Sequence, residues 1–399
     1  MIGHVPSTDD QGGAGSGGAG DPGGAGQSGL DRKVLLCLGS GGVGKTTVAA
    51  ALALALAQRG DGVVVLTIDP ARRLADTLGL RSVLAGPRRS SGNEIEPVDG
   101  TEDRVWATML DPGATFEAVI RDETRSEDQA ERILANPLFH NLAWSLSGTN
   151  EYMAAERLHQ LYHDPRFDRV VVDTPPSRHA LDFLDSPGRL SRFINHRLYR
   201  SVFAPTSGIL RTVGAGSRII LRLLGRLVGS RLVDDVVTFF AAFEGIDAGF
   251  DRRSGEIIRV LTEETSFVLV ASARREPLGE ARWIAANLVQ RLGRPEVVDA
   301  LVVNRLCPVD PGHAGGAGPG TDDPLTLNLH QLATIAAQEE ALIEDFHAEL
   351  AGAPPVIRLD EQETPVSDRA GLTELSDKLA EQLRGGHGAT NGNPTSGGR

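Results

Sequence analysis

Cysteine is scarce in this chain, which has only Cys37 and Cys307 among its 399 residues. Both lie in apolar, strand-like stretches, where a small buried residue is expected. Two such cysteines cannot supply a metal cluster or chelate that needs several thiolates from one chain, and they do not indicate a disulfide framework.

Long apolar runs, a leader-like start and an excess of positive charge are also missing. No run approaches the roughly 20 apolar residues of a membrane span, and the start has neither a basic nor an apolar segment. Asp and Glu outnumber Lys and Arg by 53 to 40, for a formal net charge of −13, which argues against general nucleic-acid binding. The sequence therefore predicts a soluble, cytoplasmic protein with no nucleic-acid partner.

A phosphate-binding motif is the most informative feature that is present. The chain reads Gly39-Ser40-Gly41-Gly42-Val43-Gly44-Lys45-Thr46-Thr47, which fits G-x-x-x-x-G-K-[ST] between a strand-like and a helical run. Glycines let backbone N–H groups face a triphosphate, Lys45 would reach the β- and γ-phosphates, and Thr46 would offer its hydroxyl to Mg²⁺. The motif predicts a nucleotide-binding protein.

Short runs rich in Val and Leu alternate with helical patterns along most of the chain. The predicted strands are Val34–Leu38, Val63–Ile68, Val105–Leu110, Val170–Asp173, Phe267–Ala271, Val298–Asn304 and Val356–Leu359. The predicted long helices are Thr46–Gln58, Glu151–Tyr162, Leu278–Arg291, Leu325–Leu350 and Leu372–Leu383. This alternation predicts an α/β fold, a doubly wound, mostly parallel sheet that binds its ligand beyond the carboxyl ends of the strands.

One region departs from the alternation. Residues 181–264 show helical patterns but no convincing strand, which predicts an α-helical insertion over the nucleotide-binding domain. Residues 189–233 contain nine arginines and no acidic residue, and Arg218, Arg222 and Arg226 share one face of an amphipathic helix. Two interpretations remain open: a surface for a hydrophobic client or a membrane, or a packed helix whose arginines are solvated.

Two aspartates at strand ends are candidates for handling the metal and the attacking water. Asp173 closes Val170–Asp173, and Asp69 directly follows Val63–Ile68. An acidic residue after a strand can equally cap the next helix. The common register of both aspartates with the phosphate loop favours the functional interpretation.

These motifs together resemble the ArsA/GET family of P-loop ATPases. The resemblance rests on residues 39–47, on Thr67-Ile68-Asp69-Pro70-Ala71 and on Asp173-Thr174-Pro175-Pro176-Ser177-Arg178-His179, which occur in the family's order. It spans nearly everything from Lys33 to Leu383 and is closest to the actinobacterial ArsA-like group. The family includes the arsenite-pump ATPase and the ATPase that delivers tail-anchored membrane proteins. Membership implies a SIMIBI-type P-loop NTPase that binds ATP with Mg²⁺.

The resemblance also implies residue roles. Asp69, in switch I, would orient or activate water and would be catalytic together with Lys45. Asp173 would join Thr46 at the Mg²⁺ and pass the nucleotide state to the helical insertion through switch II. Asn304 matches an asparagine that reads adenine, although an Asn at a strand end is otherwise most often a turn residue.

The phosphate loop departs from the family at Ser40, where G-K-G-G has its signature lysine. In dimeric members that lysine reaches the partner's phosphates, and serine has no charge and a short reach. Three alternatives follow: a heterodimer with a homologous subunit that keeps the lysine, slow hydrolysis as a homodimer, or replacement by another cation such as Arg72 or Arg73.

The cysteines and histidines exclude other family chemistry. Family members bind arsenite or zinc through sets of thiolates that Cys37 and Cys307, predicted to lie inside strands flanking the nucleotide, do not match. Arsenite recognition is therefore not expected. The ten histidines show no metal-ligand spacing, and no transition-metal site is predicted.

The predicted organisation has glycine-rich tails at 1–30 and 385–399, a P-loop ATPase domain in two parts over 31–180 and 265–384, and the insertion over 181–264. The predicted function is Mg²⁺-dependent ATP hydrolysis that switches a dimer and acts on a client through the insertion. The alternatives are a weakly or non-catalytic subunit of a heteromeric ATPase, a ParA/MinD-type positioning ATPase, and a small-molecule kinase.

Overall fold

A computed structural model describes residues 30–68, 93–136, 149–176, 181–187, 247–312, 323–362, 366 and 369–385. The strands are β1 Val34–Gly39, β2 Val63–Thr67, β3 Glu96–Pro97, β4 Val105–Met109, β5 Arg169–Asp173, β6 Thr265–Ala271, β7 Val298–Leu306 and β8 Val356–Asp360. The helices that we number are α1 Lys45–Ala57, α2 Pro112–Glu123, α3 Glu127–Leu134, α4 Thr149–His163, α5 Asp247–Glu263, α6 Arg275–Leu292, α7 Pro324–Glu349 and α8 Arg369–Gly385. Residues 181–187 are also helical.

The strands form one eight-stranded sheet in the order β3-β4-β2-β5-β1-β6-β7-β8. Only β3 pairs antiparallel to its neighbour, and the other pairs are parallel. Strand β1 lies between β5 and β6, with Val34 opposite both Val170 and Thr265. The carboxyl ends of these central strands therefore meet at one edge of the sheet, where the phosphate loop begins. The predicted doubly wound, mostly parallel sheet is confirmed.

Alternation along β1 shows how the sheet is buried on both faces. Val34, Leu36 and Leu38 lie in one buried cluster with residues of α4, α5 and α6, whereas Leu35 and Cys37 lie in a second cluster with α1 and α8. Successive side chains of a strand point to opposite faces. A continuous apolar run is therefore what a strand covered by helices on both sides requires.

Helix α1 is held between the sheet and α8, which fixes the end of the phosphate loop. Its sequence after the motif is a run of alanine and leucine, and most of the helix is buried. The small alanine side chains let the helix approach its neighbours closely on two sides. The first residue of α1, Lys45, is thereby placed directly beyond the end of β1.

The predicted elements are present with small differences at their ends. All seven predicted strands and all five predicted long helices occur among the described residues. Strand β3 was not predicted because it has only two residues, one of them a proline. Helices α2 and α3 were missed because their apolar positions are few; instead they begin at caps, where Asp111 and Ser126 accept from the backbone N–H groups of Ala114 and Gln129.

The two ends of the predicted insertion pack into the main core. Leu181 and Phe183, in the helical residues 181–187, and Ile257 and Val260 of α5 are buried in the same cluster as the strands. Residues 188–246, which include the arginine-rich stretch 189–233, lie outside the described residues. The insertion and its boundaries therefore remain a prediction.

Two further predictions concern the positions of the cysteines and the presence of membrane-spanning helices. Cys37 lies inside β1 as predicted, but Cys307 follows the last residue of β7 and is only partly buried, because the strand ends at Leu306. Among the described residues, no helix combines the length and the apolar composition needed to cross a bilayer. The described ranges include neither residues 1–29 nor 386–399 of the glycine-rich tails.

Candidate functional site

The phosphate loop connects the end of β1 to the start of α1, and a side chain at three of its glycines would collide with a neighbour or strain the backbone. A Cβ at Gly39 would collide with the Val270 carbonyl oxygen of β6, and one at Gly44 would collide with the Asn304 amide. Gly42 and Gly44 have φ angles of 79° and 93°, in the left-handed region that favours glycine. The loop thus turns its backbone, without side chains in the way, toward the edge where the central strands end.

Lys45 lies over this loop. Its ammonium group donates a hydrogen bond of 2.7 Å to the main-chain oxygen of Ser40, and its side chain is buried. The hydroxyl Oγ of Ser40 is buried as well and has no hydrogen-bond partner among the described residues. A buried cation, an orphaned hydroxyl and a glycine-rich turn fit the phosphate groups of a nucleotide.

A carboxylate from the neighbouring strand meets the first threonine of α1. The Oδ2 atom of Asp173 accepts from Thr46 Oγ1 at 2.9 Å and from Thr67 Oγ1 at 3.2 Å. The sheet register produces this contact, because Asp173 pairs with Cys37 on β1 and with Thr67 on β2. Hydroxyl and carboxylate oxygens are ligands that Mg²⁺ prefers. The structure therefore brings together the two residues predicted to hold the metal, Thr46 and Asp173.

The thiol of Cys37 lies beside this carboxylate and takes no part as a ligand. Burial, followed by the negative charge of Asp173, raises the pKa of Cys37 far above its usual range. The group therefore stays a neutral thiol, and thiolate is the form that binds soft metals. Its role is to fill the core beneath the loop.

The two segments predicted to act as switches are tied to this point by hydrogen bonds to main-chain oxygens. The N–H of Ile68 donates to the Asp173 main-chain oxygen at 3.0 Å, and the Thr174 hydroxyl donates to the Cys37 main-chain oxygen at 2.7 Å. Asp69, Arg72, Arg73 and residues 177–180 lie outside the described residues. The catalytic assignment of Asp69 therefore stays a prediction.

Asn304 contacts the phosphate loop itself. The residue is buried near the end of β7, and its Nδ2 donates to the Val43 main-chain oxygen at 2.9 Å. This support of the loop was not predicted, because a side-chain contact across 261 residues leaves no local signal. The predicted contact of Asn304 with adenine remains untested.

A second group of charged residues joins α2, α4 and α5, and we call it the arginine clamp. Arg253 lies 3.0 Å from Glu123, 3.3 Å from Glu156 and 3.4 Å from Asp122. The Tyr152 hydroxyl donates to Glu156 at 2.6 Å. Burial raises the pKa of Glu156, and the tyrosine and the arginine oppose that shift by stabilising the anion. The clamp was not predicted, since its members are scattered over three helices.

The structure also brings two histidines and a glutamate together, although no transition-metal site was predicted. His159 and His163 lie near the end of α4, and Glu256 lies on α5. The two histidines have the spacing H-x-x-x-H, which places both on one face of a helix. His159 lies in the predicted helix Glu151–Tyr162 and His163 directly follows it, so this spacing could have revealed the pair.

A phosphate-binding loop between a central parallel strand and a helix, with a strand-end aspartate at the loop's threonine, defines the class of P-loop NTPases. The sequence model of one family, described as anion-transporting ATPase, matches residues 32–313, which is more than half of the chain. The chain therefore belongs to the ArsA family of anion-transporting ATPases, and it is an ATPase that binds nucleotide. The resemblance found in its motifs is confirmed.

Curated relatives agree with this assignment. The chain is 25% identical over 343 residues to "ATPase get3" of Schizosaccharomyces japonicus, an alignment that covers 86% of this chain and 90% of that protein. It is 27% identical over 344 residues to "ATPase get3" of Aspergillus terreus, covering 86% and 88% respectively. A shorter match, 32% identical over 166 residues, relates it to "ATPase GET3" of Malassezia globosa and covers 41% of this chain and 46% of that protein.

Proposed function

We propose that this protein is a Mg²⁺-dependent ATPase whose nucleotide state switches a dimer and acts on a client through the helical region 181–264. The observation that carries the proposal is the 2.9 Å hydrogen bond between Thr46 and Asp173. It unites the hydroxyl at the end of the phosphate loop with the carboxylate of the switch II strand. The same two residues would hold Mg²⁺, which neutralises charge on the β- and γ-phosphates when bound.

Lys45 and the loop backbone bind the nucleotide in this proposal. The ammonium of Lys45 is held by a main-chain carbonyl, a neutral partner that a phosphate oxygen can replace without separating an ion pair. The glycine-rich turn and the N-terminus of α1 add N–H groups and a positive dipole. These features support binding of the triphosphate with the transferred phosphate next to Asp173.

Hydrolysis requires a positioned water, which we assign to Asp69. The residue directly follows Ile68, whose N–H is bonded to the main-chain oxygen of Asp173. The chain before Asp69 is thereby anchored at the metal-binding carboxylate. An aspartate placed there orients water by accepting its proton or hydrogen bond.

A change in the bound nucleotide would be transmitted from the site to the predicted insertion through switch II. Thr174 is anchored on β1 through the Cys37 carbonyl, and Pro176 lies against Gly41 of the phosphate loop. Only residues 177–180 separate Pro176 from the helical residues 181–187, which begin the predicted insertion. A change at the γ-phosphate therefore has a short covalent path to the proposed client region.

Adenine recognition is assigned to Asn304. Its Nδ2 is engaged by the Val43 carbonyl, which orients the amide so that Oδ1 is the atom available to accept from the amino group of adenine. Guanine presents a carbonyl oxygen at the corresponding position and would repel Oδ1. The loop contact thus supports a preference for ATP.

Ser40 bears on the proposed assembly. The residue is buried in the loop, and its side chain carries no charge. A lysine that acts on the phosphates from across a dimer interface must then come from a homologous subunit. This observation favours the second candidate function, a weakly catalytic subunit of a heteromeric ATPase. A homodimer with slow turnover is the other form of the proposal.

The test is release of inorganic phosphate from ATP by the purified chain, alone and with a lysine-bearing homologue, across a Mg²⁺ titration. We expect turnover that needs Mg²⁺ and falls at least about 100-fold in Lys45→Ala. Lys378→Ala is the matched control, because Lys378 forms an exposed ion pair with Glu374 on α8. Asp69→Asn should still bind ATP while losing turnover.

Each outcome has a distinct meaning. Activity of the chain alone indicates a self-sufficient enzyme in which Ser40 is tolerated, whereas activity only with the homologue indicates a composite ATPase. Turnover that is unchanged in Lys45→Ala, or normal in Asp69→Asn, contradicts the proposed site. A phosphorylated product in place of free phosphate contradicts hydrolysis and indicates a kinase.

A further inference from the structure

Two helices that flank the sheet bring a set of metal-binding groups to one point. His159 and His163 are one turn apart on α4, with ring centroids 4.6 Å apart. Glu256 on α5 places Oε2 3.2 Å from His159 Nε2. One ligand atom from each of the three residues lies within 4.8 Å of the others. None of these residues belongs to the phosphate loop or to either switch segment.

We propose that His159, His163 and Glu256 bind a divalent transition metal, and that Zn²⁺ is the ion that fits them best. Two imidazoles and a carboxylate are a common ligand set for zinc, with the fourth position open to water or a substrate. A hard ion such as Mg²⁺ prefers oxygen ligands and octahedral geometry, so this nitrogen-rich set does not suit it. The set is therefore distinct in chemistry from the oxygen ligands of the nucleotide site.

The spacing of the ligand atoms is close to that of a metal complex. In a tetrahedral zinc site with bonds of about 2.0–2.1 Å, neighbouring ligand atoms are roughly 3.3 Å apart. His159 Nε2 and Glu256 Oε2 are hydrogen-bonded at 3.2 Å, close to that edge, and a metal would replace the shared proton between them. The two other edges both involve His163, whose exposed ring would turn to shorten them from at most 4.8 Å.

Burial gives the cluster one fixed ligand and two accessible ones. The side chain of His159 is 10% exposed, whereas that of Glu256 is 48% exposed and His163 is open to solvent. Burial, the neighbouring His163 and the charge of Arg253 lower the pKa of His159 to about 4.

The charges around the cluster tolerate a cation. Arg253 on α5 is the positive group that acts on His159, and Glu256 is the negative group that opposes it. The guanidinium of Arg253 is itself held by Glu123, Glu156 and Asp122. These carboxylates offset its charge, so the net field of the arginine clamp does not exclude a divalent ion.

A bound metal would join α4 to the middle of α5. Helix α5 is the last part of the predicted insertion 181–264 and leads directly into β6, the central strand beside β1. A metal that binds only the folded chain stabilises it by mass action, and the increase grows with the ratio of metal concentration to Kd. The site would therefore hold the base of the insertion on the ATPase core.

The experiment uses the full, nucleotide-free chain, prepared without a polyhistidine tag and stripped with a chelator. Zn²⁺ is titrated calorimetrically at pH 7.5, and the metal retained after dialysis is counted. Retention of one Zn²⁺ per chain is expected, with affinity reduced more than about tenfold in His163→Ala and in Glu256→Gln, since each removes a ligand. Glu263→Gln, an exposed acid on the same helix α5, is the matched control and should bind like the parent.

Folding and alternative ligands are tested in the same series. Zn²⁺ should raise the melting temperature of the parent and of Glu263→Gln, but not that of His163→Ala, whose exposed ring leaves the fold intact when removed. Equal Zn²⁺ affinity in the parent and His163→Ala would overturn the proposal. So would loss of binding in Cys307→Ser, which would place the metal at the partly buried thiol instead.

Discussion

The phosphate loop and the arginine clamp both bury charged side chains, and they stabilise them in opposite ways. In the loop, the ammonium of Lys45 donates to a main-chain carbonyl, and the carboxylate of Asp173 accepts from two hydroxyl groups. In the clamp, the guanidinium of Arg253 contacts the carboxylates of Glu123 and Glu156 directly. These contacts of the loop join each charge to a neutral group, whereas the contacts of the clamp join opposite charges.

This difference suits the phosphate loop to binding a ligand and the arginine clamp to holding its three helices together. A hydrogen bond to a neutral carbonyl or hydroxyl can be exchanged for one to phosphate or Mg²⁺, because the replacement leaves no buried charge uncompensated. Removing one member of a buried ion pair leaves its partner buried without a counter-charge, which lowers the free energy of unfolding by several kcal/mol. We therefore expect the clamp to govern stability and the loop to govern binding.

The largest effect on stability is expected from Arg253→Met. Arg253 has a side chain that is 13% exposed and faces carboxylates that are 7% and 0% exposed. Its loss should lower the free energy of unfolding by about 3 kcal/mol, because Glu156 would remain buried without a counter-charge and Glu123 would keep only the exposed Arg252. Urea unfolding followed by circular dichroism measures this.

The neighbouring arginine supplies the control for the clamp. Arg252 also approaches Glu123, at 3.4 Å, but its side chain is 66% exposed. Arg252→Met should change stability by less than about 1 kcal/mol, since exposed ion pairs contribute little. If both variants lose the same free energy of unfolding, the burial of Arg253 is not what stabilises the packing of α2, α4 and α5.

A smaller effect is expected from Asn304→Ala, which tests the loop. The variant leaves the buried Val43 carbonyl without its 2.9 Å hydrogen bond and should cost about 1 kcal/mol of stability. It should also reduce the preference for ATP over GTP by about tenfold, because the acceptor for the adenine amino group is lost. Nucleotide affinities measured by calorimetry decide whether Asn304 contacts adenine or only supports the phosphate loop. An equal loss for ATP and GTP would mean that Asn304 only supports the loop.

The contrast between the two regions also explains what could be predicted from sequence. The strands and the contact of Thr46 with Asp173 follow from local patterns, since an apolar run fixes a strand and parallel register brings strand ends together. The contacts of Asn304 with Val43 and of Arg253 with Glu123 depend on packing between segments more than 100 residues apart. No periodicity encodes such contacts. The histidine pair on α4 did have a local signal, but its third ligand lies on another helix.

The last expected effect concerns pH and the histidine beside the clamp. The pKa of His159 is lowered from 6.5 to about 4 by burial and by its positive neighbours. Below pH 6.5 the unfolded chain takes up a proton that the folded chain refuses, so this contribution to stability is complete above pH 6.5 and is lost as the pH falls toward 4. One such group contributes at most about 1.4 kcal/mol per pH unit, and solvent near the half-exposed Glu256 reduces that figure.

The measurement is the urea midpoint of the parent and of His159→Gln between pH 7.5 and 4.5, in the presence of a chelator. Carboxylates without a contact to His159 titrate equally in both proteins, so the difference between the two reports the imidazole together with its partner Glu256. The parent should lose more stability than the variant as the pH falls, because glutamine has no proton to take up in the unfolded state. A difference that stays constant with pH would show that His159 titrates alike in both states, and that the charge of Arg253 acts on the clamp without reaching the neighbouring imidazole.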